Sequence, residues 1–252
     1  MDTLDLDKIS IVSTNLSELK NYFLKILSDS GKPALIITLN LEIFRNALLN
    51  NELNLTCRNA ELVIPDGIGI THLLKLKYKK KINRITGTDL FETILDISND
   101  MHLSVAFVGS SETVIWDLSA KVKKLYPGCT IAAAISPALF FEKDEAENNL
   151  VLEKLKKAKP DVLFLALNNS RGELWLDKYR NQIGAKINIG IGAVFDFYTG
   201  NKKRSPVIFQ RLSLEWVWRL LQEPRRLYKR YLIHGIPFFI KKTGQIILKN
   251  DI

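Results

Sequence analysis

Cysteine is nearly absent from this chain of 252 residues. Cys57 and Cys129 are too few for a disulfide framework, and neither has a partner at metal-ligand spacing. Histidine is almost as scarce: His72, His102 and His234 lie far apart, which argues against a zinc site. No apolar run approaches the roughly 18–20 residues needed to cross a bilayer. The longest candidate near the end, residues 231–240, is interrupted by His234, Gly235 and Pro237. The start, with Asp2, Asp5 and Asp7, lacks the basic opening of a secretory signal. These absences suit a reducing cytoplasm and make any membrane association peripheral. There is no Walker A sequence, and Gly190-Ile-Gly192 lacks the third glycine of a dinucleotide fingerprint, so ATP and nicotinamide are not expected. The one Asp-x-Asp, Asp5-Leu-Asp7, precedes the first predicted strand and lies remote from every strand end, so no metal-bound nucleotide sugar is indicated.

Acidic residues are missing from one region in particular. Residues 200–252 hold 12 of the 36 Lys and Arg but only 3 of the 27 Asp and Glu, so the whole net charge of +9 belongs to this segment and the body is neutral. Trp216, Trp218, Tyr228, Tyr231, Phe238 and Phe239 are interleaved there with Arg211, Arg219, Arg225, Arg226, Lys229 and Arg230. Cations among aromatic rings suit an anionic membrane face. Phosphate neutralisation and base stacking on nucleic acid fit the same composition, as does a solvated helix face whose apolar side enters the core.

Hydrophobic residues make up 46% of the chain and charged ones 25%, the balance of a globular domain. Short runs of branched apolar residues at 9–12, 34–38, 62–64, 103–108, 130–134, 161–167 and 187–191 predict strands. Stretches at 16–27, 41–49, 90–97, 114–125, 146–157 and 174–182 repeat apolar residues every three or four positions, as amphipathic helices do. Several strands are apolar throughout, as expected when helices cover both sheet faces. The pattern predicts an α/β fold: an open, mainly parallel, Rossmann-like sheet over residues 1–199, followed by a basic helical appendage over residues 200–252. In the appendage Pro224 suits the first position of a helix, and Pro237 is expected to break it.

Such sheets bind ligands beyond the carboxyl ends of their strands. The residues there are Thr38-Leu-Asn40, Pro65-Asp66-Gly67, Gly109-Ser-Ser111, Asn168-Asn-Ser-Arg171-Gly-Glu173, and Gly190-Ile-Gly192 followed by Asp196. Glycines opening helices can present backbone N–H groups to phosphate. Asp66 has two readings, a helix cap or a base facing the cleft. Thr38 and Asn40 can likewise cap the next helix, and Arg84 and Asp89 can form an ion pair.

Read together, these segments carry a resemblance. Thr38-Leu-Asn40, Pro65-Asp-Gly67, Arg84-Ile-Thr-Gly-Thr-Asp89, Ile191-Gly-Ala-Val-Phe-Asp196, Arg204-Ser-Pro206, Leu214-Glu-Trp216, Glu223-Pro-Arg-Arg-Leu227 and Arg230-Tyr231 occur in order. From about residue 10 to about residue 240 the chain resembles the WecG/TagA/CpsF glycosyltransferases. The resemblance implies an inverting transferase that needs neither metal nor cofactor. It would move an N-acetylmannosamine-type sugar from a UDP donor to an undecaprenyl-diphosphate-linked amino sugar in teichoic acid or surface polysaccharide synthesis. It makes Asp66 the base, lines the same pocket with Thr38, Asn40 and Arg84, sets Asp196 and Phe140 against uracil, and draws other donor contacts from Gly109, Asn168, Arg171 and Gly192. Arg204, Arg211, Arg219, Arg225, Arg226 and Arg230 would meet diphosphate and the anionic inner face of the cell membrane, with no nucleic acid involved. Where no membrane is present, the apolar stripe of the appendage can instead be buried between subunits of a homo-oligomer. One departure stands out: the family has Gly-x-Pro-Lys-Gln-Glu where this chain has Asn168-Asn-Ser-Arg-Gly-Glu173, so Gly172 replaces a glutamine that contacts the donor. A member that binds nucleotide sugar without transferring it is the alternative this leaves open.

Overall fold

The computed structural model describes residues 1–29, 31–167, 170–203, 205, 206, 208, 209 and 214–250, the last two without their side chains. Six strands, β3 (Ala34–Leu39), β4 (Leu62–Pro65), β5 (Ser104–Gly109), β6 (Thr130–Ile135), β7 (Val162–Ala166) and β8 (Ile187–Gly190), form one parallel sheet in the order β4-β3-β8-β7-β5-β6. Alternate residues of a strand point to opposite faces. Leu35, Ile37 and Leu39 of β3 therefore enter one core, and Ala34 and Ile36 enter the other.

Helices cover both faces. On one side lie α2 (Leu41–Leu49), α3 (Asn51–Asn59), α4 (Ile68–Tyr78), α7 (Glu145–Ala158) and α8 (Arg171–Ile183). On the other lie α1 (Leu16–Ser28), α5 (Gly87–Asp100), α6 (Glu112–Leu125) and α9 (Val194–Thr199). α1 buries Leu19, Phe23 and Leu27, one residue per turn, and Asn15 caps it by accepting the Glu18 N–H at 2.9 Å.

The first predicted strand is not part of this sheet. Residues 9–12 belong to β2 (Ile9–Ser13), which pairs antiparallel with β1 (Asp2–Leu6), a strand without a counterpart among the predicted ones. Asp7 and Lys8 join them with φ of 50° and 69°, the doubly left-handed backbone of a tight hairpin turn. The hairpin buries Leu4, Leu6, Ile9 and Ile11 in the first core.

The basic segment continues as α10 (Glu215–Gln222), α11 (Pro224–Tyr228), a π-helical turn over Lys229–Gly235, and α12 (Ile236–Asn250). Pro224 starts α11 as expected. Pro237 does not break the helix. The chain widens into the π turn just before it, where Ile236 N–H reaches back to the Tyr231 carbonyl, and runs on as α12. α12 packs on α4, its Phe238 ring meeting Phe44 edge-on at 5.8 Å and Phe239 lying 5.5 Å from His72. Lys242 pairs with Asp7, so the two ends of the described chain are tied together.

Candidate active site

The carboxyl ends of β3, β4 and β8 open into a cavity of about 1230 Å³ of atom-free space, its open mouth included. Residues of α10, α11 and the π turn form the opposite wall. Asp66 follows β4 and lines the cavity, half-buried. Its backbone N–H donates to the Leu39 carbonyl at 3.0 Å, which fixes the turn against β3. The cap position of α4 falls on Gly67 and holds no side-chain bond, so the Asp66 carboxyl is free of the capping role. Burial pushes this carboxyl up to about 6, against the Arg219 and Arg84 guanidiniums and a hydrogen bond from Gly87 N–H, which pull it down; Glu215 adds a smaller upward push. The result is a carboxylate still ionised at neutral pH yet far more basic than an exposed one.

Thr38 and Asn40 line the cavity beside it. The Thr38 hydroxyl donates to the Gly190 carbonyl at 3.2 Å and ties β3 to β8. Asn40 caps α2 by accepting the N–H groups of Glu42 and Ile43 at 3.0 and 3.1 Å. The ion pair between Arg84 and Asp89 does not form. Asp89 instead closes a capping box with Thr86 at the start of α5, and Arg84 binds Glu215 of the opposite wall at 2.6 Å. That contact holds the wall over Asp66.

The other expected donor contacts are dispersed. Gly192, with φ of 55°, lines the cavity. Gly109 lies outside the lining: its φ is 106°, and a Cβ there would come within 2.6 Å of the Ala166 carbonyl oxygen, so backbone packing alone demands glycine. Phe140 is also outside the lining, half-exposed, and the Arg171 guanidinium stacks on its ring at 4.7 Å while bonding Glu142 at 2.6 Å. Asp196 accepts from the Asn201 amide at 2.8 Å, away from the lining. Gly172 sits in the first turn of α8, where a Cβ would make only ordinary contact with Leu167 at 3.5 Å; neither backbone nor space requires glycine there. Asn168, Arg204 and Arg211 lie outside the described residues.

On the opposite wall, Arg219, Arg226 and Arg230 face the cavity and Arg225 does not. Arg230 binds Glu42 at 2.7 Å, and Glu223 holds both Lys202, at 2.8 Å, and Arg226. Arg219 lies over the Phe197 ring at 4.8 Å and makes no ion pair with a described carboxylate. Among the described residues no three His, Cys, Asp or Glu side chains group as metal ligands. The cavity thus sets the basic Asp66 carboxylate against a wall of cations, an arrangement able to activate a hydroxyl and to receive a departing anion. Glu42, Glu173, Glu215 and Glu223 complete it; the last three stood in the motifs noted in the sequence, but none of the four was given a role there. Each acquires its role from a partner or cavity brought together by folding.

The chain is similar in sequence to known proteins. The sequence model of the glycosyl transferase WecG/TagA/CpsF family matches residues 4–251. An N-acetylglucosaminyldiphosphoundecaprenol N-acetyl-beta-D-mannosaminyltransferase of Bacillus spizizenii is 33% identical over 240 residues, covering 95% of this chain and 90% of that protein. Proteins of the same name from Bacillus subtilis and Staphylococcus aureus are 30% and 26% identical, covering 100% and 92% of this chain and 93% and 88% of theirs.

Proposed function

The chain belongs to the WecG/TagA/CpsF family of glycosyltransferases, and from that premise we propose that it transfers N-acetylmannosamine from UDP to undecaprenyl-diphosphate-linked N-acetylglucosamine, with inversion and without a metal, in teichoic acid or related surface-polymer synthesis. The observation that carries the reading is Asp66, raised to about 6 inside a cavity whose facing wall bears Arg219, Arg226 and Arg230. Asp66 takes the proton from the acceptor hydroxyl as that oxygen attacks the anomeric carbon. The bond from that carbon to the phosphate oxygen breaks, and UDP leaves with the electron pair. Guanidiniums of the wall fork onto the diphosphate as its charge grows. A base with a pKa near the working pH combines the correct protonation state with useful basicity. Residues 1–199 supply the base, and the basic segment 200–252 closes the site.

The experiment is a panel of UDP-sugars offered with a lipid-diphosphate-N-acetylglucosamine acceptor, reading released UDP with and without EDTA. UDP-N-acetylmannosamine is expected to be turned over, unaffected by EDTA. UDP binding with no transfer from any donor in the panel would support the non-transferring alternative.

The same segment suits a lipid surface. Ile233, Ile236, Ile240 and Ile247 are exposed at helical spacing on the π turn and α12, while Phe238, Phe239 and Ile246 of α12 turn toward the core. Arg225, Lys229 and Lys241 are exposed beside this stripe. No helix among the described residues is long and apolar enough to cross a membrane. The reading is therefore peripheral docking, with the exposed isoleucines in the headgroup boundary and each nearby cation contributing about 1 kcal/mol on an anionic surface. Vesicles rich in phosphatidylglycerol should carry the protein in flotation at low salt. Replacing Ile240 and Ile247 by Asp should lower that affinity more than tenfold, since each buried isoleucine contributes about 1.5–3 kcal/mol. Flotation unaffected by this change would place the lipid contact elsewhere.

A further inference from the structure

The first turn of α8 carries a carboxyl group that the mechanism above does not use. Glu173 is only 5% exposed, yet it lines the cavity. Its Oε1 lies 2.9 Å from where a Cβ on Gly190 would stand. Gly190 has no left-handed backbone, and a Cβ there would have to displace the end of the Glu173 side chain, so the bare backbone of β8 leaves the carboxyl its place. No ion pair engages Glu173 among the described residues. Its own backbone N–H hydrogen-bonds it, and the charged group facing it is Glu42 on α2, which Arg230 holds; behind it the Cys57 thiol of α3 is kept protonated by burial. One N–H cannot satisfy both oxygens of a carboxyl group, so a group entering the cavity can complete its hydrogen bonding.

We propose that Glu173 determines which sugar the cavity accepts, its carboxyl group hydrogen-bonding a hydroxyl or acetamido substituent of the hexosamine carried by UDP. The inference rests on the glycosyl-transfer reading of the same cavity and extends it to the donor's identity. Asp66, at the end of β4, marks where the anomeric carbon must sit. Glu173 rises beside β8, two strand spacings or roughly 10 Å across the sheet, the width of one sugar ring with its substituents. The diphosphate is drawn the other way, toward the cationic wall. Burial pushes Glu173 up to about 7, its own N–H pulling down and Glu42 pushing up, so near neutral pH it can serve as donor or acceptor. Gly172, one residue earlier, contributes no side chain, so Glu173 and the Ser170 cap are the polar groups of this turn at the lining, and Glu173 is the ionisable one.

Calorimetry on the full chain with UDP and with UDP-N-acetylhexosamines tests this. Glu173→Met, of similar volume, should weaken the sugar nucleotide by about 10–100-fold, the effect of leaving a polar group unpaired, and leave UDP within about twofold. The KM for donor should rise with it, while the melting temperature does not fall. Equal weakening of both ligands would assign Glu173 to the nucleotide and overturn the proposal, as would no weakening of either. Should Glu173→Met not fold, Glu173→Gln keeps the hydrogen bond and removes the titration. Its donor affinity should then be flat between pH 6 and 8 where that of the parent varies, and an unchanged pH dependence overturns the proposal. A parent protein that binds neither ligand overturns the transfer reading and this inference together. One that binds both, with no difference opened by Glu173→Met, overturns the inference alone.

Discussion

Asp66→Asn is expected to lower turnover by about 10²–10⁴-fold, the range contributed by a positioned general base, while donor affinity measured by calorimetry stays within a few-fold. The substitution keeps shape and hydrogen bonding and removes only the basicity. The parent enzyme should gain activity as pH rises through about 6, where Asp66 ionises, and the variant should show no such rise. Stability should move the opposite way. A carboxyl whose pKa in the fold lies above its unfolded value of about 3.9 binds its proton more tightly when folded. Its contribution is favourable below that unfolded value and is lost as pH climbs toward 6. Asn does not ionise, so the variant should melt higher than the parent at pH 8, and this advantage should vanish at pH 4. A variant that retains a tenth or more of parental turnover removes Asp66 from the mechanism.

Arg219→Met is expected to lower turnover by about 10²–10³-fold, as loss of one preorganised group facing a developing charge does. Of the guanidiniums on the wall, Arg226 and Arg230 are already held by Glu223 and Glu42. Arg219 makes no such pair and can meet the diphosphate directly. Methionine preserves bulk over the Phe197 ring. Arg219 also pulls the Asp66 carboxyl down. Without it that carboxyl rises further, the acid limb of the rate profile moves to higher pH, and the loss is larger at pH 6 than at pH 8. An unshifted acid limb with unchanged turnover would separate Arg219 from both roles.

Much of this was legible in the chain itself, for identifiable reasons. The central strands are almost wholly apolar, as expected of a doubly covered sheet, and the strand ends therefore pointed to Thr38, Asp66 and Gly192. The hairpin was not legible because Asp7-Lys8 is a tight turn without glycine or asparagine, and β1 alternates acids with leucines. α3 escaped because its buried face is Leu53, Thr56 and Cys57, with the Thr56 hydroxyl bonded to Asp177 of α8. Glu173 reads in sequence as one more acid in the first turn of a helix, where acids are favoured anyway. The pairs Arg84–Glu215 and Arg230–Glu42 join residues far apart along the chain, and no local pattern announces them.

The cationic wall is built from the part of the described structure that the ribosome makes last. The sheet, Asp66 and Glu173 can assemble on the emerging chain while residues 215–235 are still in the exit tunnel. A cut between residues 200 and 214 would therefore part Asp66 from the guanidiniums of Arg219, Arg226 and Arg230. Lys242 of α12 pairs with Asp7, so the hairpin turn and the helix that follows the wall hold each other.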